Sequence, residues 1–187
     1  MNAALFGGSF DPPHTGHQLI VQKALQELDI DKLFIVPAYL NPFKKNFFAP
    51  PEKRYKWVEK LFKNYPKVEV LDFEIKKDRA VPTIETVKYL YRAYDIDKLY
   101  LILGDDNLEN LHKWTEYEKL KNMVTFVVAT RYKKEYPKNL KILQISANIS
   151  STKLRNNLDT KFLPTTILKD ITEYYKEKND KQTGSDN

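Results

Sequence analysis

Cysteine is absent from the 187 residues, which excludes a disulfide framework and any zinc site built on thiolates. Histidine is scarce: beyond a close pair, the chain has only His112, so a three-histidine metal site is a poor fit and no protein metal cage is expected. No apolar run is long enough to cross a bilayer. The chain enters a strand-like Ala3-Ala4-Leu5-Phe6 with none of the charged lead and apolar core of a signal peptide, so a cytoplasmic protein with no membrane partner is expected. Basic charge is not gathered in one block either. The 31 Lys and Arg against 25 Asp and Glu give a net charge of +6 spread along the chain. That is the pattern of a solvated surface, compatible with a cleft for a small polyanion, and it does not indicate a nucleic-acid partner.

What is present supports one compact domain. Hydrophobic residues make up 42% and aromatics 13%, enough for a real core and too many aromatics for a disordered chain. Apolar strands alternate with helices. Leu5-Phe6 closes the first strand. His17 to Leu28 repeats apolar residues at helical spacing, and Leu33 to Val36 is a strand stopped by Pro37. A helix starts at Pro51 and carries Val58, Leu61 and Phe62; Val68 to Ile75 reads as a strand. Thr83 is placed to cap a helix lined by Val87, Leu90, Tyr91 and Tyr94. Further strands are expected over Leu99–Leu103, Met123–Ala129 and Leu140–Ile145. Thr115 with Glu118 has the form of a capping box. Ser150 or Ser151 caps a helix through Arg155, and Thr165 or Thr166 begins a last helix through Tyr175. The domain is expected over 1–177, with a polar, frayed tail over 178–187.

Asp29-Ile30-Asp31-Lys32-Leu33 recurs as Asp95-Ile96-Asp97-Lys98-Leu99, which reads as one helix-to-strand joint used twice. Unalternating apolar strands separated by helices imply a Rossmann-like, doubly wound parallel sheet with helices on both faces. Ligands of such sheets sit at the carboxyl ends of the strands. The segments following Phe6, Val36, Ile75, Leu103, Ala129 and Ile145 are therefore the places to look.

The first of these reads Gly7-Gly8-Ser9-Phe10-Asp11-Pro12-Pro13-His14-Thr15-Gly16-His17. Two glycines let the backbone approach a ligand, and the amides at the start of the following helix make an anion site. His14 and His17, three apart, can face one point there and donate to phosphate oxygens. The segment resembles the G-x-F-D-x-x-H-x-G-H signature of the nucleotidyltransferase superfamily. A second superfamily signature, I-S-x-T-x-[IL]-R, is matched by Ile149-Ser150-Ser151-Thr152-Lys153-Leu154-Arg155, whose hydroxyls and helix-start amides suit phosphate.

Three more segments are similar to those of bacterial nicotinate-nucleotide adenylyltransferases: Pro37 to Lys45, Val81 to Val87, and Leu103 to Trp114. That resemblance implies a reaction of ATP with nicotinate mononucleotide to give deamido-NAD and pyrophosphate, with Mg²⁺ carried mainly by the ATP phosphates. It implies a catalytic set of His14, His17, Lys44 and Arg155. The ATP would be met by Gly7, Gly8, Ser9, Phe10, His14, His17, Gly104, Asp106, Arg131, Ser150, Thr152 and Arg155. The mononucleotide would be met by Ser9, Lys44, Thr83, Thr86, Trp114 and Thr115, with Trp114 stacking on the pyridine ring. Ser9, Phe43, Pro82, Leu111 and His112 depart from the family's usual residues, mostly on the metabolite side. The alternatives are a nicotinamide mononucleotide or phosphopantetheine acceptor, or a non-catalytic nucleotide sensor. Oligomeric state is not legible in the sequence.

Overall fold

The computed structural model describes residues 1–130, 136–137, 140–145 and 149–183, with side chains as far as Lys178. Six parallel strands form one sheet in the order β3-β2-β1-β4-β5-β6. They are β1 (Asn2–Gly8), β2 (Lys32–Pro37), β3 (Val68–Val70), β4 (Lys98–Gly104), β5 (Thr125–Thr130) and β6 (Lys141–Gln144). The helices are α1 (Thr15–Glu27), α2 (Pro51–Phe62), α3 (Thr83–Ala93), α4 (Tyr117–Met123), α5 (Ser151–Asn156) and α6 (Thr165–Thr183). The doubly wound α/β reading is therefore correct.

Each strand divides its side chains between two cores, because successive residues point to opposite faces. Ala4 and Phe6 of β1 join Val21 and Ala24 of α1, Trp57, Val58 and Leu61 of α2, Leu154 of α5 and Ile167 of α6. Ala3 and Leu5 face the other way, against Ile84, Val87 and Leu90 of α3 and Leu120 of α4. Each fully buried Val, Leu or Ile among them contributes about 1.5–3 kcal/mol by leaving water. The repeated Asp-Ile-Asp-Lys-Leu joint is used symmetrically about β1. Asp31 donates its N–H to the carbonyl of Asn2 and Asp97 donates its own to Met1, while Ile30 enters the first core and Ile96 the second.

Several expected boundaries change. The Val68–Ile75 strand stops at Val70, and its last sheet bond is Leu71 N–H to Ile35. The chain then turns, with Lys76 N–H bonded to Asp72, into a 3-10 helix at Ile75–Lys77. Thr83 starts α3 without capping it, since Pro82 holds the cap position and no side chain caps there. The Thr115–Glu118 capping box does not form. Glu116 is the cap residue instead, at φ 52, and its carboxylate turns to Lys88. Ser150 does cap α5, accepting the Lys153 N–H, and α6 runs on past Tyr175 to Thr183. Residues 105–113, unassigned in the sequence reading, form a long 3-10 helix.

Strand order reverses between β1 and β4, which diverge to β2 and β5 on their outer sides. The crevice at that switch point, beyond Gly8 and Gly104, is where a doubly wound sheet holds a ligand.

Candidate active site

The turn leaving β1 is built around Phe10. It takes a left-handed φ of 47 and tucks its ring into the core, 5.5 Å from the ring of Phe6 and 4.8 Å from that of His17. A Cβ on Gly8 would lie 3.2 Å from the Phe10 ring, so a side chain there would press on the turn. His14 caps α1 and is buried, and its ring stacks on that of His17 with centroids 3.7 Å apart. The His14 backbone N–H donates to Nδ1 of His17 over 3.1 Å. An accepting Nδ1 carries no proton, so the ring's N–H lies at Nε2, the atom farther from the backbone.

The second motif docks directly on the first. Arg155 donates through Nη1 to the Asp11 carbonyl and through Nη2 to Oγ1 of Thr152 at 3.1 Å. Ser151 Oγ donates to the Pro12 carbonyl at 2.9 Å. A Cβ on Gly16 would meet His14 Nδ1 at 2.9 Å and Ile149 at 3.1 Å, so this glycine permits the close approach of the two motifs. The Arg155 guanidinium also lies 4.0 Å from the centre of the Phe48 ring.

Lys44 arrives from the loop after β2. Its ammonium stands 3.4 Å from Ser9 Oγ, long for a hydrogen bond. Desolvation first, and Arg155 next, lower its pKa below the ordinary lysine value, with Arg54 adding to this and Asp11 and Asp106 opposing. Lys44 thus shares its electrostatic surroundings with charges from the β1 turn, α2, α5 and the segment after β4. At the end of β4, Asp105 is engaged: its carboxylate accepts from Thr130 Oγ1 at 3.0 Å and from the Tyr136 hydroxyl at 3.2 Å. Asp106 is exposed, folded back so that a Cβ on Gly104 would collide with its Oδ1. Arg131 lies outside the described residues. Among the described residues, no group of three or more His, Cys, Asp or Glu is placed to hold a metal ion.

Of the residues expected to meet the mononucleotide, Ser9 and Lys44 stand at the β1 turn, and the others belong to the opposite face of the sheet. Thr83 begins α3, and Trp114 ends the 3-10 helix, half-buried against the second core, followed by exposed Thr115. Lys88 of α3 pairs with Glu116 at 2.9 Å and holds the two elements together. Thr86 stands apart from this group. It is buried, and its hydroxyl donates to Glu74 Oε1 at 2.6 Å. Burial pushes the Glu74 carboxyl up to about 7, against the Thr86 hydrogen bond and with a smaller contribution from Glu85.

Two organising residues escaped the sequence reading. The buried Asp11 carboxylate accepts the N–H groups of Phe48 (2.7 Å) and Ala49 (2.9 Å). Arg54 of α2 is 1% exposed. Its place at i, with Trp57, Val58 and Leu61 at i+3, i+4 and i+7, puts it on the apolar stripe, and that was the signal available.

A family model described as cytidylyltransferase-like matches residues 5–157. A protein of Campylobacter fetus subsp. fetus named probable nicotinate-nucleotide adenylyltransferase is 52% identical over 179 residues, covering 96% of this chain and 99% of its own length. One of the same name from Nitratiruptor sp. is 49% identical, over 94% of this chain and 99% of its own. The fold is shared with a solved structure of Plasmodium falciparum nicotinic acid mononucleotide adenylyltransferase complexed with NaAD. Its TM-score is 0.75 at 22% identity, over 94% of this chain and 97% of that one. No helix among the described residues is long and apolar enough to cross a membrane. With the two motifs docked on each other at the switch point and near-full-length identity of about half, the chain belongs to the cytidylyltransferase-like family and, within it, to the nicotinate-nucleotide adenylyltransferases.

Proposed function

We propose that the chain joins ATP to nicotinate mononucleotide, giving deamido-NAD and pyrophosphate, on the crevice between β1 and β4. The observation that carries this is the docking of the second motif onto the first, through Arg155 to Asp11 and Ser151 to Pro12. It brings Arg155 onto the turn that leads into the stacked His14 and His17, with Lys44 within its electrostatic reach.

The nucleophile is an oxygen of the mononucleotide's own phosphate, ionised at neutral pH. It forms a bond to the α-phosphorus of ATP as the bond to pyrophosphate breaks, with no proton to remove and no covalent enzyme intermediate. Catalysis is then positioning and charge stabilisation. Gly7 and Gly8 let the triphosphate approach, and the Ser9 and Phe10 amides donate to phosphate. The Nε2–H of His17 donates to the oxygens on which charge grows, and His14 backs its ring. Lys44, Ser150, Thr152 and Arg155 neutralise and close over the departing pyrophosphate. Asp106, beside Gly104, accepts from a ribose hydroxyl, and Arg131 flanks the adenosine side. Trp114 stacks on the pyridine ring, with Thr83 and Thr115 offering amides to the carboxylate. Thr86 serves this side through Glu74.

The donor set fits a cation carried by the substrate: Asp106 is an exposed carboxylate just after β4, within electrostatic reach of Lys44. Mg²⁺, which keeps most of its waters, would neutralise the triphosphate oxygens there. The same reading carries a cytoplasmic setting and a domain over residues 1–177.

The stereochemistry of transfer tests the direct step. With adenosine 5′-O-(1-thiotriphosphate), the dinucleotide should form with inversion at the α-phosphorus. Retention would mean a covalent adenylyl-enzyme and would overturn the single-step account.

A further inference from the structure

The guanidinium of Arg54 lies beneath the phosphate site and touches three segments that build it. Its Nε donates to the Ala49 carbonyl at 2.9 Å, and its Nη2 to the Tyr39 carbonyl at 2.7 Å. Its Nη1 donates to both Ser9 and Ala38. Four main-chain acceptors on one buried guanidinium is an unusual investment. Burial pulls its pKa below the ordinary arginine value, with nearby Asp11 and Glu52 opposing, and a hydrophobic side chain would fill the same space without that desolvation cost.

The direction of these bonds matters more than their number. In a trans peptide the carbonyl of one residue and the N–H of the next point opposite ways. Holding the Ser9 carbonyl towards Arg54 therefore turns the Phe10 N–H away from the guanidinium. That N–H is one of the amides assigned to phosphate. The loop carrying Lys44 is fixed at both ends by the same device. Arg54 holds Ala38 and Tyr39 at its start, while Arg54 and the Asp11 carboxylate hold Ala49 and Phe48 at its finish.

We propose that Arg54 is a positioning residue for adenylyl transfer: its four main-chain bonds orient the Phe10 amide and set the span between the Ser9 turn and the Lys44 loop. The inference rests on the phosphate-site reading above. Lysine cannot replace it, since an ammonium has three donors and lacks the planar fork that reaches four carbonyls.

The test is a double-mutant cycle with ATP and nicotinate mononucleotide, run well below each variant's melting temperature. Arg54→Lys should lower kcat by about 100-fold, the scale of an ångström's misplacement, while raising the ATP KM far less. Lys44→Ala should then cost about tenfold less in the Arg54→Lys background than in the unmodified chain, because Lys44 is already out of place. Fully additive losses would show that Arg54 only packs the core and would overturn the inference. Lys44→Ala silent in the unmodified chain would instead overturn the phosphate-site reading, and the inference with it. If Arg54→Lys does not fold, the intact enzyme decides. Exchange of the Arg54 Nε proton, followed by NMR, should slow about tenfold when a non-hydrolysable ATP analogue binds, as the loops it holds tighten. An unchanged exchange rate would overturn the proposal.

Discussion

The two sides of the crevice are held together by different means. On the β1 side, side chains reach into main-chain groups: Asp11 to Phe48 and Ala49, Arg54 to four carbonyls, Arg155 to Asp11 and Ser151 to Pro12. On the side of α3 and the 3-10 helix over 105–113, most of the described links join side chain to side chain. They include the half-exposed Lys88–Glu116 and Arg79–Glu85 pairs, the buried Glu74–Thr86 bond, the Asp105–Thr130 bond, and the packing of Trp114 and of Phe73 on Tyr89, with Tyr91 reaching the Met123 carbonyl. A surface ion pair contributes only about 0–1 kcal/mol. The difference teaches where each requirement lies. Charge stabilisation of a triphosphate demands donors fixed before the reaction. Recognition of a flat ring needs a platform and a few amides.

The comparison yields predictions that break one side and spare the other. The largest effect belongs to His17→Ala, which should lower kcat by roughly 100- to 1000-fold with a smaller change in ATP affinity. Single-turnover kinetics beside ATP binding would check it, and an unchanged kcat would remove His17 from the transition state.

Next in size is Glu74 on the quieter side. Its folded pKa, about 7, lies above that of an unfolded carboxyl, so the folded protein keeps a proton that the unfolded chain releases. Stability should therefore fall as pH rises from about 4.5 to about 7. Glu74→Gln should recover on the order of 3 kcal/mol at pH 8 and almost nothing at pH 4. Thermal melts at the two pH values decide it, and equal shifts at both would contradict the raised pKa.

Gly16→Ala comes third. Its Cβ would force His14 from Ile149, and overpacking of this kind costs about 1–3 kcal/mol. Reduced kcat with mononucleotide KM unchanged is expected; a shift in that KM alone would mean the motifs do not meet there. The smallest effect is for Trp114→Ala, which should raise the mononucleotide KM roughly tenfold with kcat nearly kept. Movement in the ATP KM alone would put Trp114 on the wrong side of the crevice.

The same contrast explains what could be read from sequence. The β1 side depends on local chemistry (glycines after a buried strand, histidines three apart, a serine cap), and each leaves a trace in consecutive residues. The other side depends on tertiary choices. Thr115 and Glu118 have a capping box's spacing, yet Glu116 takes the left-handed turn and its carboxylate pairs with Lys88, 28 residues away. The buried bond from Thr86 to Glu74, 12 residues away, left no trace in consecutive residues either. Arg54 sits between lysines at 53 and 56 and reads as one more surface charge until its apolar neighbours one turn on are counted.

The most direct test of the account is pyrophosphate release from ATP with Mg²⁺, with nicotinate mononucleotide, nicotinamide mononucleotide and phosphopantetheine compared as acceptors. A strong preference for the nicotinate form is predicted, with turnover lowered roughly 100- to 1000-fold by His17→Ala and the acceptor KM raised by Trp114→Ala. Equal or better release with either other acceptor would contradict the assignment of the second side of the crevice, and no release with any of the three would contradict the catalytic reading itself.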